Sequence, residues 1–219
     1  MIKNIWEKNI YSKKKQLNVL PLLGIVSFFK KKDFKNKSRI NILEIGCGVG
    51  NNLTFLAQEG FNVSGIDFAV SAIKIAKKRF NQKKLKCTIK VGDIKKLDWP
   101  NNYFDYVIDR AVLTHHTNQE ISLILDEIHR VLKKGGKILS FDFFGKNIPD
   151  KKFGQKLKTN TYSNFKKGNF KFVGKTSFFS FGLLKKLFYR YKILEIDRII
   201  VKNIKNLTRF ETFNVVAKK

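Results

Sequence analysis

The sequence predicts an α/β domain with a doubly wound, mainly parallel sheet, on three observations. Apolar runs of strand length alternate with helical stretches from residue 40 to residue 145. The first run, Ile40–Ile45, leads directly into a loop with glycine at 46, 48 and 50. Seventeen residues beyond Gly50, a second apolar run, Phe61–Ile66, ends in Asp67. A buried strand, a turn free of side chains, a helix start and an acid at the next strand end form a nucleotide-binding βαβ unit. Glycine lets the backbone approach a ligand and accepts positive φ without penalty. Asp67 is placed to accept hydrogen bonds from a ribose diol.

Each element has a local reason. Residues 1–38 read as one or two short helices. Ile40–Ile45 is the first strand, Asn51–Glu59 a helix and Phe61–Ile66 the second strand. Val70–Phe80 is helical, with apolar residues at 70, 73, 76 and 80 and basic ones between them, the period of a surface helix. Leu85–Val91 is the third strand. Asp98-Trp-Pro-Asn-Asn102 is a turn by its Pro and Asn content, and Phe104–Asp109 is the fourth strand. Gln119–Leu132 is an amphipathic helix stopped at Gly135-Gly136. Lys137–Phe143 is the fifth strand. Residues 145–175 read as irregular and Phe181–Tyr189 as a helix. Tyr191–Val201 and Thr208–Val216 read as two last strands, paired antiparallel.

The glycine spacing separates two ligand classes. A dinucleotide site reads G-x-G-x-x-G and aims a helix N-terminus at a pyrophosphate. Here Asn51 stands where the third glycine would fall, and the pattern is Glu44-x-Gly46-x-Gly48-x-Gly50. It resembles motif I of the class I S-adenosylmethionine-dependent methyltransferases. The resemblance continues in Val63-Ser-Gly-Ile-Asp67, Val91-Gly-Asp93-Ile94, Phe104-Asp-Tyr-Val-Ile-Asp109 and His129-Arg-Val-Leu-Lys-Lys-Gly-Gly-Lys-Ile-Leu139, and covers roughly residues 40 to 145. It implies a Rossmann-like sheet of seven strands with the last one antiparallel, and S-adenosylmethionine as cofactor.

In open α/β sheets ligands sit beyond the carboxyl ends of the strands, where Glu44, Asp67, Asp93 and Asp109 all lie. By resemblance, the 46–50 loop, with Cys47 and Asn51, passes under the methionine part of the cofactor. Glu44 orders that loop or reaches the amino group through water. Asp67 binds the ribose hydroxyls and Phe68 packs on the adenine. Asp93 accepts from the adenine amine, and the Ile94 N–H donates to the ring. Capping of the following helices is the alternative role for these acids, and for Asp109 it weighs as much as cofactor binding.

The catalytic side rests on Asp109-Arg-Ala-Val-Leu-Thr-His115-His116, the loop that in this fold faces the transferable methyl group. Two of the chain's three histidines are here. Histidine is the natural general base near neutral pH. His115 is the first candidate for base or acceptor-orienting group and His116 the second. Arg110 and Tyr11 are candidates for acceptor contact. Two adjacent histidines without a third ligand do not make a metal site, so no metal is expected.

Composition bounds the rest. The chain has 219 residues, 43% hydrophobic and 13% aromatic, enough for one domain with a substantial core. Residues 1–219 therefore divide into an N-terminal helical lid (1–38), a cofactor-binding core (39–145), a basic insert and helix (146–190) and C-terminal strands (191–219). No apolar run is long enough to span a membrane. Lysines 13–15 before Val19–Phe29 resemble a signal peptide, but Lys30, Lys31 and Lys32 follow with no small-residue cleavage site. Cys47 and Cys87 form no disulfide framework, and a reducing cytoplasm fits. Trp6-Glu-Lys-Asn-Ile-Tyr11 resembles the leader that small-molecule methyltransferases place over the cofactor, so Trp6 joins the expected cofactor contacts. A membrane-surface role for Val19–Phe29 is the less favoured reading.

The net charge of +28 comes from 45 basic residues, only seven of them arginine. Nucleic-acid readers favour arginine for bidentate contacts, so a nucleic-acid partner is not expected. Residues 151–194 contain 12 basic residues and no acidic ones. A one-signed field attracts anions, so the expected acceptor is a small anionic molecule methylated at O or N. The extra domain mass of a DNA or protein methyltransferase is not expected. The alternatives are an RNA-modifying methyltransferase and an inactive cofactor-binding partner protein.

Overall fold

The computed structural model describes residues 5–7, 11, 20–203 and 209–219. Its centre is a seven-stranded sheet in the order β3-β2-β1-β4-β5-β10-β9. The strands are β1 (Asn41–Ile45), β2 (Asn62–Asp67), β3 (Thr88–Val91), β4 (Phe104–Arg110), β5 (Leu132–Phe144), β9 (Lys192–Lys202) and β10 (Arg209–Lys218). β1 pairs in parallel with β2 and β4, and the parallel pairing extends to β3 and β5. β10 runs antiparallel to β5, and β9 antiparallel to β10. The expected seven strands with an antiparallel last strand are what the chain forms.

Side-chain alternation along the central strands feeds two cores. Leu43, Ile45, Phe104, Val107, Ile138 and Phe143 enter one, while Ile42, Ile108, Leu139 and Phe141 enter the other. Residues one apart point to opposite faces of a strand, so a sheet apolar at both parities must be covered on both sides. The first face is covered by α4 (Asn118–Val131), through Ile121, Ile124, Leu125, Ile128 and Val131, and by α5 (Phe181–Leu187). The second is covered by α1 (Leu23–Lys30), α2 (Asn51–Gln58) and α3 (Val70–Gln82). α4 begins with a capping box, in which the Thr117 side chain accepts from the Glu120 N–H and the Glu120 carboxylate from the Thr117 N–H.

Several boundaries differ from the expectation. β3 starts at Thr88 rather than Leu85, because the Leu85 N–H donates to the Phe80 carbonyl and closes α3. β5 begins at Leu132, directly after α4, and α5 stops at Leu187 rather than Tyr189. The largest difference lies in 145–175, expected to be irregular. It holds a three-stranded sheet of β6 (Gln155–Lys156), β7 (Thr161–Ser163) and β8 (Thr176–Ser177). These strands are too short to show a period. Ile148, Phe165, Phe170 and Phe178, scattered through loops, supply a separate small core.

α1 differs too. The Val19–Phe29 run was expected in a lid or on a membrane surface, and its first residue lies outside the described residues. α1 instead buries Ile25 and Phe29 in the second core, with Phe29 edge-on to Phe61 and Tyr106. Of the leader before Leu20, only residues 5–7 and 11 are among those described. No helix among the described residues is long and apolar enough to cross a membrane.

Candidate active site

The strand order reverses between β1 and β4, and a crevice opens at the carboxyl ends of those strands, as expected where neighbouring crossovers leave in opposite directions. A cavity of about 1260 Å³ occupies it. One end is lined by Glu44, Gly46, Cys47, Gly48, Asn51, Asp67, Phe68, Asp93 and Ile94, the other by His115, His116, Phe144, Phe170, Lys175 and Phe210. Trp6, Tyr11 and Arg110 also line it.

The glycine loop is bare because a side chain would not fit. A Cβ on Gly46, at φ +59°, would lie 2.2 Å from a Val112 methyl, and one on Gly48, at φ +51°, 2.8 Å from the Tyr11 hydroxyl. The loop is pinned from below by Asp67, whose carboxylate accepts from the Gly48 N–H at 2.9 Å and the Ala69 N–H at 2.8 Å. Burial pushes the Asp67 carboxyl up and the two backbone donors pull it partly back. The Glu44 carboxyl is completely buried, and desolvation pushes it up to about 8 against the hydrogen bond from Asn52. Asn52 Nδ2 donates to Glu44 Oε1 at 2.6 Å, and Glu44 Oε2 has no hydrogen-bond partner within the described residues. Asp93 sits at the rim, where its carboxylate accepts from the Lys95 N–H at 3.0 Å.

The histidine loop is tied to the insert. His115 is buried, and its Nδ1 lies 3.0 Å from the Lys175 carbonyl oxygen. A carbonyl only accepts, so Nδ1 carries the proton and Nε2 is the ring's acceptor. Desolvation drives its pKa down to about 4. His116 Nδ1 pairs in the same way with the Val112 carbonyl at 3.0 Å, and burial lowers its pKa also. Further ties come from the Ser177 hydroxyl to the His116 carbonyl and from the Thr114 hydroxyl to the Ser177 carbonyl. Lys175 forms an ion pair with Glu120.

Two of the expected site residues stand apart from the cavity lining. Asp109 is buried behind it. Its Oδ1 accepts from the Val112 N–H at 2.9 Å and the Leu113 N–H at 3.3 Å, and its Oδ2 from the Ser140 hydroxyl. It holds the histidine loop from beneath, the capping role that the sequence weighed equally. Gly50 supplies the left-handed residue that starts α2. Arg110 reaches the lining half-exposed, with Nε 3.4 Å from Asp142. Asn52, Lys175, Phe144, Phe170 and Phe210 were missed. Only Asn52 carried a signal, since it sits in the first turn of the helix after the glycine loop. Among the described residues no cluster of His, Cys, Asp and Glu could hold a metal ion.

The family model for the methyltransferase domain matches residues 42–136, the span that builds the acidic end and the histidine loop. This match, over somewhat less than half of the chain, supports the resemblance to the class I S-adenosylmethionine-dependent methyltransferases. Similar methyltransferases include the sterol 4-C-methyltransferase of Caenorhabditis elegans, 29% identical over 122 residues, 55% of this chain and 36% of that protein. Phosphoethanolamine N-methyltransferase 3 of Arabidopsis thaliana is 32% identical over 104 residues, 47% of this chain and 21% of that protein. The chain thus spans about a fifth to a half of the length of the curated relatives it matches. A methyltransferase crystal structure from Methanosarcina mazei superposes with a TM-score of 0.75 at 23% identity, covering 91% of this chain and 99% of that one. The shared fold therefore extends well beyond residues 42–136.

Proposed function

We propose that this chain transfers the methyl group of S-adenosylmethionine to an oxygen or nitrogen of a small molecule bound at the histidine end of the cavity. The observation that carries the reading is one continuous cavity with two unlike ends. At about 1260 Å³ it exceeds the roughly 300–1,000 Å³ typical of a single small-ligand site. It therefore has room for a cofactor and a second molecule.

The residues at the acidic end fit the cofactor. Glu44 Oε2 is a buried acceptor without a partner among the described residues, suited to the cofactor's ammonium. Asp67 retains free lone pairs for a ribose diol, and Phe68 and Ile94 flank Asp93 where an adenine would lie. Gly46 and Gly48 line the cavity with backbone alone, along which the methionine part would lie. The cofactor supplies an electrophilic methyl carbon, so the chain has to align the acceptor, exclude water and accommodate the acceptor's proton. His115 is neutral at physiological pH and offers Nε2 as a hydrogen-bond acceptor. With a pKa near 4 it orients a hydroxyl or amine more than it stores a proton, and His116 is the second candidate.

The relatives' names cover a sterol and phosphoethanolamine, which supports methyl transfer as the shared chemistry and favours no one acceptor. The anionic acceptor expected from the basic insert gains little support from the site. Of the 12 basic residues in 151–194, only Lys175 lines the cavity, and it is paired with Glu120.

Calorimetric titration with S-adenosylmethionine and separately with NAD tests the reading. Binding of the first alone, lost in Asp67→Ala, is the expected result. Binding of NAD instead, or of neither, would sink it.

A further inference from the structure

The half of the cavity not claimed by the cofactor has a chemical character of its own. A chain of rings runs along its wall. Trp6 lies edge-on to His115 at 5.4 Å and His115 edge-on to Phe144 at 6.0 Å. Phe144 meets Phe170 at 5.0 Å and Phe210 at 5.7 Å, and Phe170 stacks on Phe210 at 6.5 Å. The three phenylalanines come from β5, the insert and β10, and all three line the cavity. Ring faces and edges at such distances form favourable contacts with a further ring, each about 0.5–1.5 kcal/mol beyond simple burial.

Charge at this end is already matched. Lys175 is paired with Glu120, Arg110 faces Asp142, and Lys95 lies 3.9 Å from Asp93. The neutral polar groups there are Ser163, Asn164 and Asn169. Burying a phosphate or carboxylate needs a counter-charge, and those cations are already partnered. An apolar ring needs none.

Resting on the methyl-transfer reading above, we infer that the acceptor is an uncharged, ring-bearing molecule of aromatic or quinol type. Its ring lies against Phe144, Phe170 and Phe210, and its hydroxyl or amine points to His115. S-adenosylmethionine, when bound, would supply the methyl carbon and leave as a neutral thioether, while His115 would hold the acceptor's hydroxyl or amine with a lone pair free for that carbon and its proton would pass to solvent.

The test uses the full chain saturated with S-adenosylhomocysteine, so that no turnover is needed. It is titrated with 2-naphthol as a ring probe and with phosphoethanolamine as an anionic one. The expected result is saturable 2-naphthol binding, tighter than phosphoethanolamine and weakened about five- to tenfold by Phe210→Ala. Phe210→Leu, which keeps apolar volume and removes the ring, carries the test if Phe210→Ala fails to bind S-adenosylhomocysteine. Tighter binding of phosphoethanolamine overturns the inference, and so does no 2-naphthol binding or binding indifferent to the loss of the ring. Failure of S-adenosylhomocysteine to bind wild-type protein would instead overturn the methyl-transfer reading.

Discussion

The two ends of the cavity are built on different principles. The acidic end is made by the carboxyl ends of the neighbouring strands β1, β2 and β3 and the loops that follow them, all within residues 44–94. Its key groups are backbone N–H donors, bare glycines and carboxylates at strand ends. The aromatic end is made by residues 144, 170, 175 and 210, brought together across 66 residues by three separate elements. One end depends on backbone geometry within a rigid sheet, the other on side chains packed through a small peripheral core. Cofactor and acceptor recognition can therefore fail independently.

The largest expected effect separates the two structurally. Phe104, at the start of β4, is fully buried in the core of the main sheet, and Phe178 lies in the insert's own core. Phe→Ala at either position costs about 3–5 kcal/mol of local packing. Phe104→Ala should lower the global melting temperature and release cofactor binding with it. Phe178→Ala should open the insert while the sheet persists. Amide exchange would then rise in 148–178 with S-adenosylmethionine binding retained. A single cooperative loss in both variants would show that the ends are one unit.

Next in size is the anchor of the acidic end. Asp67→Ala removes the acceptor for two buried backbone N–H groups as well as the proposed ribose contact. Each orphaned group costs about 1–3 kcal/mol, so cofactor affinity should fall about 100-fold or more by calorimetry. Phe210→Ala should leave cofactor affinity within about twofold. Equal losses in the two variants would break the comparison.

Legibility in the sequence follows the same division. Gly46, Gly48 and Asp67 were readable because a turn that excludes side chains leaves glycine spacing as its mark, and a strand-end acid has a fixed offset from it. The two cores were readable because Ile42 and Leu43 are both apolar, and a strand apolar at both parities must be covered on both faces. Asp109 shows the limit. A strand-end carboxylate serves a ligand or a following turn equally well, and its neighbours Val112 and Leu113 decided for the turn. The short strands β6–β8 left no mark at all, because two or three residues carry no period. Phe144 and Phe210 read as ordinary core positions, and only tertiary pairing brings them to the cavity.

A smaller effect distinguishes Glu44 from the acids at the rim. Its folded-state pKa is raised from 4.5 to about 8, so the folded chain holds a proton there that the unfolded chain releases between those values. By linkage, the free protein loses stability from this group as pH rises from about 5 to 8. Glu44→Gln should remove that loss, raising the melting temperature at pH 8 more than at pH 5. A cationic ligand favours the ionised form, so wild-type affinity for S-adenosylmethionine should rise through the same window and the variant's should stay flat. A flat wild-type profile would remove Glu44 from the ammonium site.

The smallest effect lies where the ends meet. Lys175, just before β8, pairs with Glu120 on α4, both partly exposed, and such pairs contribute about 0–1 kcal/mol. Lys175→Met keeps the length of the stem and removes the charge. It leaves the capping box intact, because Thr117 binds Glu120 independently. Neutral-pH stability should therefore change by less than about 1 kcal/mol. The acid side should move more. Desolvation raises the Glu120 carboxyl, but the Lys175 and Thr117 hydrogen bonds overcome it and hold the pKa at about 2. A depressed carboxyl contributes stability above its unfolded value near 4.5 that is lost as pH falls toward 2. Without Lys175, Glu120 protonates at higher pH, and acid unfolding should begin earlier. The His115 contribution is also lost as pH falls, between about 6.5 and 4, because the unfolded ring takes up protons that the buried ring refuses. The Lys175 charge adds only the smallest of the contributions that lower His115, so the difference between the two acid transitions reports mainly the ion pair. Coincident transitions would mean that Thr117 alone holds Glu120, and that the insert is fastened through Ser177 to Thr114 and His116 of the histidine loop rather than to α4 through charge.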